Sequence, residues 1–292
     1  MNLRYVASLF LFLFWLPGCQ DSAAWRPAGV PESRQPASAQ HTVENTKTIE
    51  NIFTKDTSLS YQGYTVSKLL KTVNVEGIKT EVSYAVLMKD EKVVGNFDGL
   101  YHPMGNATQF GLFPFIGGET KQIIVEQSIP RNWSHWIVNL VPDSHVIFDS
   151  RKWAVDGELT PVDLNQDGIF EFTKVLTTFY DFDKLPTSDS PLIDIIFMYD
   201  KDAKEYVPAN RTFQKYALNG IEDEERSLEE NKEKSYLSGV VHIVLRYIYA
   251  GKRDEGWAFY DRQYKLANKD LIKSDILNKL RNEPVYKFIY DR

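Results

Sequence analysis

Alternation of apolar and polar side chains with a period of two dominates the middle of the chain. Runs rich in β-branched and aromatic residues recur at 64–68, 81–88, 92–97, 122–127, 135–140, 145–149 and 192–199. Turn-forming clusters such as Val75-Glu76-Gly77 and Lys89-Asp90-Glu91 separate them. Such runs at such spacing predict antiparallel β meanders. So many half-apolar strands are buried only by two sheets packed face to face or by a closed barrel. Beyond residue 210 the period lengthens to three and four. Tyr236, Leu237, Val240, Val241, Val244, Leu245 and Ile248 share one helical face, and a second helix begins around Trp257, Ala258, Tyr260, Asp261 and Tyr264. A third is expected from a cap at Asn268, with Leu271, Ile272, Ile276, Leu277 and Leu280 inward and Pro284 after its end. Residues 221–234 place acids early and lysines late, with Glu222/Arg226 and Glu230/Lys234 four apart, which predicts a solvated helix. The fold class expected is α+β: an antiparallel β-rich domain (sandwich or irregular barrel) at 48–210, then a C-terminal helical segment at 211–292.

The first residues have a different character. Arg4 precedes an apolar run from Tyr5 to Trp15. A membrane helix needs about twenty apolar residues, so this shorter run predicts the core of a signal peptide spanning 1–18. The run ends in Leu16-Pro17-Gly18-Cys19, which resembles the lipobox of bacterial lipoproteins: an apolar residue, two small residues and the cysteine that is lipidated and becomes the mature N-terminus. The resemblance implies a lipid on Cys19 and, because Gln20 and not Asp follows, residence at the outer membrane. Cys19 is the only cysteine, so no disulfide framework exists. Residues 19–47 contain Pro27, Pro31 and Pro36 among Ser, Ala and Gln, and read as a flexible tether. Removing residues 1–18 takes away one charge, Arg4, and leaves 33 Lys+Arg against 40 Asp+Glu, a net charge of −7. That balance argues against nucleic acid as a partner.

Between two predicted strands lies Asp163-Leu164-Asn165-Gln166-Asp167-Gly168-Ile169-Phe170-Glu171. Oxygen donors at loop positions one, three and five, glycine at six, a carbonyl at seven and an acid at nine are the usual means of surrounding Ca²⁺. Position twelve is Lys174 and not the glutamate of an EF-hand, and β-favouring residues follow the glycine. The loop therefore resembles the Asp-x-Asn-x-Asp-Gly-x-x-Glu turns of FG-GAP/VCBS-like repeats. That resemblance implies calcium held by Asp163, Asn165, Asp167, the Ile169 carbonyl and Glu171, stapling two strands. A metal-free Asx turn closed by the same side chains is the alternative.

Two glycine- and aromatic-rich connections supply candidate ligand-binding residues: Tyr101, His102 and Asn106 in 98–113, and Arg131, Trp133 and His135 in 130–136. The competing reading makes their aromatics core and their glycines turns. Catalytic signatures are thin. His41, His102, His135, His145 and His242 show no metal-ligand spacing, and there is neither a Gly-x-Ser-x-Gly elbow nor a phosphate loop. Asp98, Asp149 and Asp156 are the acids available to pair with His102 or His135.

The helices around Tyr249-Ala250-Gly251 resemble a single tetratricopeptide-like hairpin, which needs the β domain to cover its apolar face. The whole succession resembles an uncharacterised family of bacterial exported proteins. The function expected is a calcium-stabilised binding or envelope-assembly module, lipid-anchored at the outer membrane and facing an envelope protein or glycan. The alternative is a periplasmic hydrolase with its site between the loops of His102 and His135.

Overall fold

Two-residue turns set the register of the first sheet. In the computed structural model, which describes residues 52–180, 182, 185, 189–230 and 236–291, the chain opens with β1 (Phe53–Thr54), β2 (Ser58–Tyr61), β3 (Tyr64–Val75), β4 (Ile78–Lys89) and β5 (Lys92–Phe97). The signal segment 1–18, Cys19, the tether 19–47 and Lys234 lie outside the described residues. Strands β2 to β5 form an antiparallel meander joined through Gln62-Gly63, Glu76-Gly77 and Asp90-Glu91. All six turn residues have positive φ, from 48° to 85°. Turns of that hand match the twist of the strands they join.

The second sheet is ordered β1-β6-β7-β8-β9, with β6 (Ala107–Phe113), β7 (Gln122–Ile129), β8 (Asn132–Asn139) and β9 (His145–Asp149). Its central strands are buried on both faces. Ile123, Val125, Trp136 and Val138 pack with Val66, Ala85, Leu87 and Phe97 of the first sheet, while Ile124 and Ile137 enter a second core. That double burial explains why β7 and β8 read as nearly continuous apolar runs.

The second core is shared with a third sheet: β10 (Val155–Asp156), β11 (Pro161–Val162), β12 (Glu171–Leu176), β13 (Asp194–Asp200) and β14 (Glu205–Pro208). Its order is β10-β12-β13-β14, with β11 paired to the start of β12. Phe148 meets Phe172 edge-on at 4.8 Å and Phe197 at 5.0 Å, and Tyr206 lies 4.8 Å from Phe172. Aromatic pairs in such geometry contribute beyond their area.

Helices α1 (Gln214–Ala217), α2 (Ile221–Glu230), α3 (Tyr236–Tyr249), α4 (Arg253–Gln263), α5 (Lys269–Asn282) and α6 (Pro284–Tyr290) complete the chain. Val240, Val244, Ile248, Phe259, Ile276 and Val285 join the same apolar cluster as Phe172 and Phe197, so the helices close the third sheet. Glu283 ties two of them together. Its carboxylate caps α6 by accepting from the main-chain N–H groups of Val285 (2.9 Å) and Tyr286 (2.6 Å), and accepts the Tyr249 hydroxyl of α3 at 3.0 Å. Glu283→Ala removes the cap and leaves a buried phenol unpaired, so denaturant melts should show a loss of about 1–3 kcal/mol. Unchanged stability would mean that the cap is dispensable.

The chain is thus α+β, with antiparallel sheets packed face to face ahead of a helical segment. Several finer expectations need correction. Residues 107–113 are a strand and not part of a connection, because Gly111 is where the Ile52 carbonyl approaches; a Cβ there would lie 2.1 Å from that oxygen. Leu271 and Leu277 point outward, at 60% and 42% exposure, while Ile272, Ile276 and Leu280 alone form the inward stripe of α5. Asn268 occupies the cap position of α5, yet its side chain accepts from the Tyr264 hydroxyl and no helix N–H. Arg226 pairs with Asp223 and not with Glu222. Pro284 begins a further helix, where its missing N–H is harmless.

Candidate functional site

The acid loop is closed by strand pairing on both sides. Val162 of β11 lies opposite Glu171 of β12, so residues 163–170 form a hairpin loop. Within it the side chains turn onto the backbone. Asp163 accepts from the N–H groups of Asp167 (3.1 Å) and Gly168 (3.0 Å), Asn165 from Asp167 (3.0 Å), and Asp167 from Ile169 (2.8 Å). Gly168 takes φ 82°, which favours glycine at that step. Glu171 closes the far end by accepting the Leu164 N–H at 2.8 Å through Oε2. The Tyr206 hydroxyl donates to the carbonyls of Phe170 (2.9 Å) and Phe115 (3.1 Å), fastening the exit of the loop to the core.

One oxygen in this arrangement is left over. Glu171 is 1% exposed, and its Oε1 is buried without a hydrogen-bond partner. Burial pushes the Glu171 carboxyl above its ordinary range, and the charges of Asp167 and Asp163 push it further. A hard divalent cation would supply what that oxygen lacks and offset the mutual repulsion, so the donor set fits calcium chemically. Among the described residues no three His, Cys, Asp or Glu side chains already gather as a metal-ligand group. The existing hydrogen bonds equally describe a metal-free Asx turn.

The six candidate ligand-binding residues do not share a pocket. Tyr101 donates to Asp98 at 2.9 Å and accepts from Lys71 at 3.0 Å; Lys71 is ion-paired to Asp98 and lies over the Tyr84 and Tyr101 rings. His102 accepts the Met104 N–H through Nδ1 at 3.2 Å. The Asn106 amide is fully used, accepting from the Ser83 N–H (2.7 Å) and donating to the carbonyls of Ser83 (3.0 Å) and Leu100 (2.7 Å). It fastens the connection to β4 and is structural. Arg131 is an exposed turn residue with φ 66°, and Trp133 is half-buried. None of the three aspartates bonds a histidine. Asp98 serves Lys71 and Tyr101, Asp149 takes a two-pronged bond from Arg151, and Asp156 accepts from the N–H groups of Trp133 and Gly157, both at 2.6 Å. A groove of about 330 Å³ beside Trp136, Arg151, Trp153 and Glu205 contains none of the six.

His135 instead anchors a buried polar chain with Glu126 and Lys174, neither of them among the candidate residues of the sequence. It is fully buried and faces the third sheet. Its Nε2 lies 2.7 Å from Glu126, directly opposite on β7, and Glu126 in turn accepts from Gln109 of β6 at 2.6 Å. On the other side, His135 Nδ1 lies 2.9 Å from Lys174 Nζ. Lys174, 1% exposed, points inward from β12 between Phe172 and Leu176 and also donates to the Gly157 and Glu158 carbonyls. Burial lowers the Lys174 ammonium to about 7 and His135 to about 4, the latter helped by the nearby lysine charge. Burial alone would raise Glu126, but hydrogen bonds from His135 and Gln109 outweigh it and hold that carboxyl low. Asp156 is raised by burial, partly offset by its two N–H donors. The signal in the sequence was a charged residue at an inward position: Phe172-x-Lys174-x-Leu176 keeps the strand alternation with a lysine in the apolar phase. No protein-family model, curated protein or solved structure matches this chain.

Proposed function

We propose that the chain is an envelope lipoprotein, anchored at the bacterial outer membrane through a lipid on Cys19, whose β-rich body is a calcium-stabilised binding or assembly module. The observation carrying the calcium part is the buried, unpartnered Oε1 of Glu171 beside Asp163 and Asp167. In this reading Asp163, Asn165, Asp167, the Ile169 carbonyl and Glu171 hold the ion. The ion supplies charge neutralisation between β11 and β12, and the chain's own residues position it through the Leu164, Asp167 and Gly168 N–H bonds. The anchor rests on the apolar run ending in Leu16-Pro17-Gly18-Cys19. Among the described residues no helix is long and apolar enough to cross a membrane, so acyl chains would supply the membrane affinity. The partner class is an envelope protein or glycan.

Cys19→Ser should yield an exported protein that no longer partitions with membranes, and radiolabelled palmitate should enter the wild type alone. Palmitate absent from the wild-type protein would overturn the anchor.

A further inference from the structure

The buried chain from Glu126 to Lys174 joins two sheets and a surface crossing, and nothing in the calcium reading uses it. A carboxylate only accepts, so Glu126 fixes the proton of His135 on Nε2 and leaves a bare lone pair on Nδ1, aimed at Lys174. Lys174 Nζ then has three acceptors for its three protons: His135 Nδ1 and the carbonyls of Gly157 and Glu158. Those carbonyls belong to the crossing 157–160 between β10 and β11. Lys174 fastens the first half of this crossing by its two carbonyls, while Leu159 packs against the core and pairing with β12 resumes at Pro161.

We propose that Glu126, His135 and Lys174 form an acid-operated latch, in which a proton arriving at His135 Nδ1 displaces the Lys174 ammonium and frees the 157–160 crossing. The only open site on the imidazole is the atom 2.9 Å from Nζ. Once it is protonated, two donors and two positive charges face each other with no water between them. At acid pH the lysine carries its own proton and offers no relief.

The sign follows from linkage. In the closed latch burial and the facing lysine charge hold His135 down to about 4; opening moves that charge away and raises the imidazole toward its ordinary 6.5, so opening takes up a proton above pH 4 and is favoured as pH falls. Other charged groups face the same place. Glu126 on β7 is held low and adds to acid opening only at the lower end of the window. Asp156 on β10, raised by burial, titrates in the opposite sense and opposes opening. Glu158 on the crossing lies near the lysine, and Gln109 and Ser150 contribute neutral dipoles. The latch operates whether or not the acid loop holds an ion.

NMR titration of the full-length protein between pH 7 and 4, following the carbonyl ¹³C shifts of Gly157 and Glu158 that the Lys174 ammonium polarises, tests the proposal. Both carbonyl shifts should move toward their water-exposed values as pH falls toward 4, while the amide shifts at the core of β7 and β8 stay unchanged. His135→Gln keeps an oxygen for Lys174 and an N–H for Glu126 but does not titrate, so its carbonyl shifts should not follow pH until Glu126 itself takes up a proton at the lower end. If that variant does not fold, the wild-type imidazole resonance decides, because it should titrate together with the opening. A flat wild-type profile, an unchanged acid slope in His135→Gln, or an imidazole that titrates while the crossing stays closed would each overturn the latch.

Discussion

Glu126→Ala is expected to destabilise the protein by about 3–5 kcal/mol, because it removes one end of a buried charge chain and leaves the rest in place. The lost carboxylate strands the fully buried His135 N–H and takes away one of the negative charges facing the Lys174 ammonium, which keeps Asp156 and the Gly157 and Glu158 carbonyls. Gln109 also loses its acceptor. Glu126→Gln should cost less, since an amide oxygen still accepts from the imidazole while only the charge is gone. Urea melts of both variants check this ordering. An alanine variant as stable as wild type would show that water reaches the chain.

Calcium is expected to raise the unfolding midpoint. A ligand that binds the folded state alone adds about 2.7 kcal/mol at a hundredfold excess over its dissociation constant, which for a chain of this size is roughly 5–10 °C. Magnesium should do less, because it holds its water tightly and demands a more rigid octahedral shell. Asp163→Ala should erase the calcium response. It also weakens the metal-free loop, since Asp163 accepts two of the N–H groups that shape it. The informative quantity is therefore the difference between melts with calcium and with chelator, compared within each variant. Acid should weaken the response, because Glu171 is already raised above the usual carboxylate range and must be ionised to hold a cation.

The legible part of the fold was the part written in local periodicity. β5 and β9 begin and end where alternation places them, and the turns at Glu76-Gly77 and Asp90-Glu91 fall where polar clusters interrupt it. Local signals failed where a residue has two uses. Gly111 reads as a loop residue, but it serves the approach of the Ile52 backbone inside a strand, and Pro284 reads as a stop although it equally suits a first helical turn. Adjacent apolar pairs in α5 suggested a wide stripe, whereas steps of four through Ile272, Ile276 and Leu280 define the buried line. His135 was visible as a residue of interest, yet its partners lie 9 and 39 positions away. The nearer was within reach: a two-residue turn at Pro130-Arg131 places Ile129 opposite Asn132 and so Glu126 opposite His135. Lys174 stands out in the sequence as a departure from the EF-hand pattern, and its neighbours Phe172 and Leu176 put it in the inward phase of β12. Which sheet that phase faces is a tertiary fact, and no periodicity within one strand encodes it.

The central claim is that the acid loop is a cation site and not a self-closed turn. Calorimetric titration of the chelator-stripped, full-length protein in detergent with calcium tests it most directly. A single saturable heat of binding is expected, lost in Asp163→Ala and in Asp167→Ala and accompanied by a rise in melting temperature in the wild type. No heat at millimolar calcium, with unchanged melting, would contradict it.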